Sequence, residues 1–490
     1  MKKILKISIV LYVILLMSGC VKDEWMNPEP ISSVQEGSIF NSKDRVIAQV
    51  NGMYSSLKSG QHLGGRFQVY NDVRADNFIP NSSNGVTNYQ TWNHTVISST
   101  NEVQNLWGAV YTTINVVNVF LEGTKTAWDA GELTFLTEAE YNQFRGEALA
   151  IRAICYFNLL QMYSKPYNLN NGASQGVPLR LKAYKSREEN NMAPSTVAEV
   201  YTQILKDLND AEPLVALTLG STNLNVTRIH RNTVVAFKTR VYLHMQNWDQ
   251  VVTESAKIVS AAAPFSATTG VANKLSASYA SIFASPHATA ESIFSLPNTS
   301  ANNPGTQNFL AHYFNPASGE SYYLNQASAA FTGLNAADAR RTMLNQSGTK
   351  LYINKYVDNA TRTDYSPVIR YAEVLLSRAE AIVRQGSAVT QEAVDLLNAV
   401  RTRSYPAGAY TLAGFATTQA FLDAVLLERN IEFLGEGIRN MDLMRLGLTI
   451  PGKNGGSMGN IAAIPVTSKT YYWPVPTSEL SYNKLMTPNN

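Results

Sequence analysis

Apolar residues recur every three or four positions in a series of segments joined by short corners, and this period constrains the fold more than anything else in the chain. The stretch TVVAFKTRVYLHMQNWDQVVTESAKIV holds two helices: Val234, Phe237, Val241 and Met245 form one stripe, and Val252, Ala256 and Val259 the next. Gln246 to Trp248 is the corner between them. PVIRYAEVLLSRAEAIVRQG followed by EAVDLLNAVRTRS repeats the arrangement, with Ile369, Ala372, Leu376, Ala379 and Val383, then Ala393, Leu396 and Val400. Leu106, Val110, Ile114, Val117 and Leu121 mark an earlier helix. From Tyr141 onward two stripes cover most of one helix, which predicts burial on most sides. Thr196 and Glu199 are spaced as a capping box at the start of another. Antiparallel helix pairs at loose spacing predict a mostly α, tetratricopeptide-like solenoid, although the strict repeat signature is absent. The pairs fall around 106–162, 196–263, 369–403 and 420–447.

The intervals around 60–105 and 265–365, with a shorter one at 404–418, are rich in Asn, Ser, Gly, Pro and aromatics. They carry short strand-like runs such as ESIFSL and KLYINKY. Long irregular segments in an ordered protein are usually functional, and the aromatics argue against disorder.

The N-terminus reads as an address. Lys2, Lys3 and Lys6 make a positive n-region, and Ile4 to Met17 is almost wholly apolar but shorter than the roughly 20 residues of a spanning helix. Ser18, Gly19 and Cys20 then complete L-M-S-G-C, a lipobox. Residues 1–19 are expected to be removed as a lipoprotein signal peptide, with Cys20 acylated and 20–36 serving as a lipidated tether. Several acyl chains anchor firmly where one is marginal. The body is then 37–490.

Removing the leader removes three lysines and no acids, so the formal charge of +3 falls to zero. No basic field remains to draw in nucleic acid. With Cys20 acylated, Cys155 has no partner, and its place on a helical stripe predicts a packed structural thiol. Charged residues make up only 16% of the chain, low for a globular protein, so recognition falls to neutral polar and aromatic groups.

The six histidines form no metal-binding pair or H-E-x-x-H, so neither a metal nor a cofactor is expected. GASQG at 172–176 matches a nucleophile elbow in letters only, because a helix precedes Ser174 and an extended run follows. Glu428 and Glu432 lie four apart in LLERNIEFLGEGIRNMDLMRLG and could serve as acid and base in glycoside hydrolysis. Arg429, Arg439, Arg445 and Asp442 accompany them, which favours a buried ion-pair network pinning the C-terminal helices.

Two loop stretches combine aromatics with small polar groups. The first carries Arg74, Asp76, Tyr89, Trp92 and Asn93; the second carries Tyr313, Tyr322 and Tyr323. An aromatic platform covers the apolar face of a pyranose while Asn, Asp and Arg satisfy its hydroxyls, so these eight are the expected ligand-binding residues. The alternative is that the rings are loop anchors packed on the helices.

RGEALAIRAICYFNLLQMYSKP resembles the A-x-R-A-x-x-Y-F-x-L helix of the SusD/RagB outer-membrane lipoproteins. VPL, PSTVAEVYTQILKDLNDA, RYAEVLLSRAEA, LLNAVRTR, ERNIEFLGEGIRNMDLMRLG and YYWPVPTSELSYN follow in the family's order. Asn430, where an Arg is common, and Asn483 followed by Lys484 are departures. The resemblance implies four tetratricopeptide-like units under an irregular ligand-binding layer. It also implies a SusC-like TonB-dependent barrel transporter as partner, with the helical repeats facing that transporter and the lipoprotein acting as its hinged lid. Lys22 to Glu24 resembles the acidic signal that sends such lipoproteins to the cell surface.

The expected function is therefore a surface-exposed, lipid-anchored outer-membrane protein that binds a glycan or oligosaccharide, delivers it to the transporter and breaks no bond. A peptide receptor of the RagB kind, a glycoside hydrolase using Glu428 and Glu432, and a helical adaptor for protein partners are the alternatives.

Overall fold

A computed structural model of the chain describes residues 39–489. The expected signal peptide, Cys20 and the tether up to residue 36 lie outside the described residues.

Successive helices pack as neighbours. Helix α1 (Lys43–Leu57) packs on α3 (Asn101–Asp129), α3 on α4 (Glu138–Tyr163), and α4 on α5 (Val197–Ala211). The series continues through α6 (Arg231–His244), α7 (Trp248–Ser255), α8 (Tyr371–Gly386), α9 (Gln391–Ser404) and α10 (Thr418–Glu432). Helix α4 is central: from Gly146 to Tyr163 every residue is buried, because both of its apolar stripes meet a neighbour. Its start is fixed by a capping box in which Glu140 N donates to Thr137 Oγ1 at 3.2 Å and Thr137 N donates to Glu140 Oε2 at 3.0 Å. Thr196 and Glu199 repeat that geometry at α5, as their spacing predicts. Arg152 on α4 forms a two-pronged pair with Asp207 on α5, both contacts at 2.8 Å. The corner between α6 and α7 turns at Gln246, in the left-handed region, and Asn247 caps α7. Cys155 is free and buried, and burial pushes its thiol up.

The loop-rich layer has a core of its own, built from Val69, Phe78, Trp92, Tyr313, Phe314, Tyr322 and Ile431 among others. Short strands hold it together. β1 (Phe78–Pro80) pairs antiparallel with β3 (Tyr322–Leu324), and β2 (Ser292–Leu296) with β6 (Ser366–Arg370). β4 (Leu344–Ser347) and β5 (Lys350–Ile353) form a hairpin beside β3.

Helix α2 (Arg66–Val73) lies inside the interval expected to be irregular. All eight of its residues are buried, so it shows no amphipathic stripe. Phe67 and Tyr70 belong to the scaffold core, and Val69 and Val73 to the loop-layer core. α11 (Arg439–Arg445) packs against α2 after a turn at Gly437, whose φ is +78°. A Cβ there would meet Gln68 Cα at 2.7 Å, so only glycine allows this approach.

Candidate functional site

The outer surface of the loop layer is set by strand parity. On β3, Tyr322 and Leu324 point into the core, so Tyr323 between them points outward and is half-buried. The loop after β1 then presents Asn81. Its Nδ2 donates to Ser321 Oγ at 3.0 Å and to the Tyr352 hydroxyl at 2.8 Å. Its Oδ1 accepts from Lys350 Nζ at 2.7 Å. Lys350 Nζ in turn lies 4.5 Å from the centre of the Tyr323 ring, and Tyr352 meets that ring edge-on at 6.3 Å. One outward aromatic is thus held among an amide, an ammonium and a phenol.

Two further groups flank this cluster along the 81–90 segment. Tyr89 stacks on Trp92 at 5.8 Å and donates from its hydroxyl to Met458 O at 3.2 Å, leaving the ring half-buried. Glu320 accepts from Asn84 Nδ2 at 2.5 Å and from Gln307 Nε2 at 3.4 Å, with His312 Nε2 at 3.8 Å. Burial holds His312 below its usual range, against the pull of Glu320. The surface therefore offers ring faces, amides, a carboxylate and an ammonium in neighbouring positions.

Of the eight residues expected to bind ligand, Tyr89, Asn93 and Tyr323 reach the surface, and the other five are anchors of the layer. Trp92 is fully buried, and its Nε1 donates to Phe78 O at 2.8 Å. Tyr313 and Tyr322 are likewise fully buried and donate to Gln307 O and Thr87 O, each at 2.6 Å. Arg74 donates to Tyr471 O at 2.7 Å, and burial pushes it down to about 10. Asp76 pairs with Arg439 at 3.0 Å. The correction has one cause: each side chain uses its polar tip on a partner inside the protein, so its apolar body closes the core instead of a ligand surface. Asn93 accepts from Thr95 N and shapes its own turn. Asn81, Asn84, Glu320, Lys350 and Tyr352 were missed. KLYINKY gave a strand signal that contained two of them, and NFIPNSSNG contained two more.

Glu428 and Glu432 lie in a buried network of charges, as expected, but its arginines are not the neighbouring ones: Arg429 and Arg445 pair with Asp442, and Arg439 with Asp76. Glu428 meets Arg340 at 2.6 Å and Arg401 at 3.0 Å. Glu432 meets Arg403 at 2.5 Å, Arg370 at 3.0 Å and Arg340 at 3.1 Å. Arg370 and Arg403 also share Glu291, each at 2.6 Å, while Arg370 and Lys355 share Glu436. With Asp338 on Arg340, five cations face five carboxylates. Burial alone would raise Glu432, but Arg403, Arg370 and Arg340 outweigh it and hold the carboxyl well below its usual range. A group so held keeps its charge and has no proton to give to a leaving group. The network joins β6, α9 and α10 to the 338–355 segment, so it fastens the loop layer to the scaffold.

Ser174 is no nucleophile elbow either: its carbonyl accepts from Val197 N at the entry to α5. Among the described residues, no three His, Cys, Asp or Glu are placed to hold a metal ion. Nor, among them, is any helix long and apolar enough to cross a membrane.

Comparison with known proteins places this architecture. Residues 24–243 match the model of a SusD-like family described as starch-binding and associating with the outer membrane, and residues 278–490 match that of the SusD family. The chain is 26% identical over 280 residues to SusD-like protein P38 of Formosa agariphila, covering 55% of this chain and 48% of that protein. It is 33% identical over 141 residues to the starch-binding protein SusD of Bacteroides thetaiotaomicron, covering 28% of this chain and 23% of that one. It therefore spans about half the length of the first curated relative and under a quarter of the second. The crystal structure of a SusD superfamily protein from Bacteroides fragilis superposes with a TM-score of 0.82 at 30% identity, covering 92% of this chain and all of that one. Two family models in tandem and a solved relative matched over its whole length leave one assignment: the chain belongs to the SusD family.

Proposed function

We propose that this protein is a carbohydrate-binding protein of the outer cell surface, lipid-anchored through Cys20 after removal of residues 1–19. It captures a glycan or oligosaccharide and hands it to a SusC-like TonB-dependent transporter in the outer membrane, and it breaks no bond itself. The observation that carries the reading is the outward Tyr323 held by Asn81, Lys350 and Tyr352 on a layer fixed to a helical scaffold. A ring face with adjacent donors and acceptors suits a pyranose, whose one side is C–H and whose rim is hydroxyl. The starch-binding name of one relative and the description of the family model support the same class. The division of the chain supports a lid, because the scaffold is regular and the recognition groups sit on the other layer.

The test is a glycan array run beside a peptide library on the purified mature chain. Binding to oligosaccharides and to no peptide is expected. Selective peptide capture would overturn the carbohydrate reading and favour a RagB-like receptor. Co-purification of a barrel transporter with the wild-type chain, lost when Cys20→Ala blocks acylation, tests the anchoring and delivery half.

A further inference from the structure

The helical scaffold carries a second concavity that shares no residue with the candidate site. It is a cleft of about 440 Å³ between α3, the segment after Pro178, and α12 (Thr477–Tyr482). Ligand sites commonly start at around 300 Å³. Its walls are Trp107 and Tyr111 from α3, Arg180 and Tyr184 from the segment, and Glu479 and Tyr482 from α12.

Most of its polar tips are occupied. Trp107 Nε1 donates to Glu479 Oε2 at 3.2 Å and the Tyr111 hydroxyl to Pro178 O at 2.8 Å, so both rings present apolar surface. The Arg180 guanidinium lies 4.6 Å from the Tyr184 ring centre and 5.7 Å from that of Tyr111. Its Nη2 donates to Glu479 Oε1 and to Asn190 O, both at 3.0 Å. Its Nη1 is buried and makes no hydrogen bond among the described residues. A buried donor left without an acceptor is destabilising, so the cleft is incomplete without one. At the rim, Tyr482 is 70% exposed, and Leu485 beyond it is 54% exposed. A bare ring beside an unsatisfied donor is the pairing a binding site requires and a packed core avoids.

The charge balance selects the ligand. Glu479 already neutralises Arg180, so the spare N–H suits a neutral oxygen better than a carboxylate. We propose that this cleft is a second binding site for a neutral oligosaccharide, with a sugar hydroxyl accepting from Arg180 Nη1 and a pyranose face resting on Tyr482. The ligand class rests on the carbohydrate reading above; the site does not.

Hydrogen–deuterium exchange on the full mature chain tests it, with maltoheptaose and laminariheptaose as separate millimolar probes. Exchange in 180–192 and 477–486 should slow at least about fivefold with one of them, matching the scale of a single stacked ring. Tyr482→Ala should abolish that protection and leave any protection at 81–93 and 318–325 intact. Arg180→Met is the more direct variant but removes the pair with Glu479; Tyr482 is exposed, so its loss leaves folding untouched and decides the matter. Protection at the loop layer alone, or cleft protection undiminished in Tyr482→Ala, overturns the second site and leaves the function proposed above. Protection at the cleft alone sustains the second site and removes the loop layer from recognition. Protection at neither overturns the second site as a site for such oligosaccharides, while the proposed function stands or falls by the glycan array.

Discussion

Trp92 donates its indole N–H to the Phe78 carbonyl at 2.8 Å, and no part of its ring reaches solvent. The bond ties the 89–92 turn to β1, and the ring fills the core of the loop layer. Trp92→Ala leaves a large cavity and an unpaired carbonyl, so it should cost about 3–5 kcal/mol of stability. Urea denaturation checks this as a fall in midpoint. A variant that unfolds like the wild type would place Trp92 outside the core.

Tyr323 is the opposite case. Its ring is half-buried, its neighbours Tyr322 and Leu324 carry the packing, and its own contacts lie at the surface. Tyr323→Ala should weaken glycan binding by about 1 kcal/mol, roughly fivefold, with little change in Tm. Parallel calorimetric titration and thermal melts check both halves. Lost stability with unchanged affinity would reverse the roles given to this residue.

Arg370 contacts Glu291, Glu432 and Glu436 and is fully buried. Arg370→Met removes one cation from a balanced set and leaves buried carboxylates short of charge. The expected cost is about 3–5 kcal/mol, read from urea denaturation. Glu436→Gln added to Arg370→Met restores the count and should recover part of the loss.

Stability should fall with acid in two stages. Burial holds His62 down at about 3 and His230 at about 4, and it also lowers His94 and His244. The unfolded chain takes up these protons first, so stability drops as pH falls below about 6.5. Asp72 and Glu102 work the other way, raised by burial to about 8 and about 7. Their contribution is fully present below their unfolded values and is lost as pH rises through 7 to 8, which softens the first stage. The second stage is steeper. Glu432, Glu436, Glu380 and Asp442 are all depressed, with arginine partners outweighing burial in each. Their stabilisation is present above about pH 4.5 and is lost as pH falls further through their folded values. Calorimetric melts from pH 7 to 3 should show a gentle decline and then a sharp one. A level Tm down to pH 3.5 would contradict the network's role.

The helical scaffold was legible because its helices show one face, or two, at the period of a helix. The capping box at Thr196 and the corner at Gln246 follow from local spacing. The charge network around Glu432 was legible only as a cluster of charges, because its partners Arg340, Arg370 and Arg403 come from other elements and not from the neighbouring Arg429, Arg439 and Arg445. Helix α2 was not legible, because burial all round erased its stripe. The candidate surface was only half legible. Tyr322 and Tyr323 are adjacent and chemically identical, yet one is core and the other surface. Their parity is set by pairing with Phe78–Pro80, more than 240 residues earlier, and no local pattern in a three-residue strand encodes that. Lys350 and Asn81 reach Tyr323 only through the same long-range pairing.

Titration calorimetry of the mature chain with the oligosaccharide that the array returns tests the central claim most directly, because one trace reports binding and cleavage together. Saturable heats that return to baseline after each injection are predicted if the loop layer holds the glycan as proposed, because Glu428 and Glu432 are locked to arginines. Heat flow that persists after each injection, from continuing hydrolysis, would contradict the account, as would a trace showing no saturable binding.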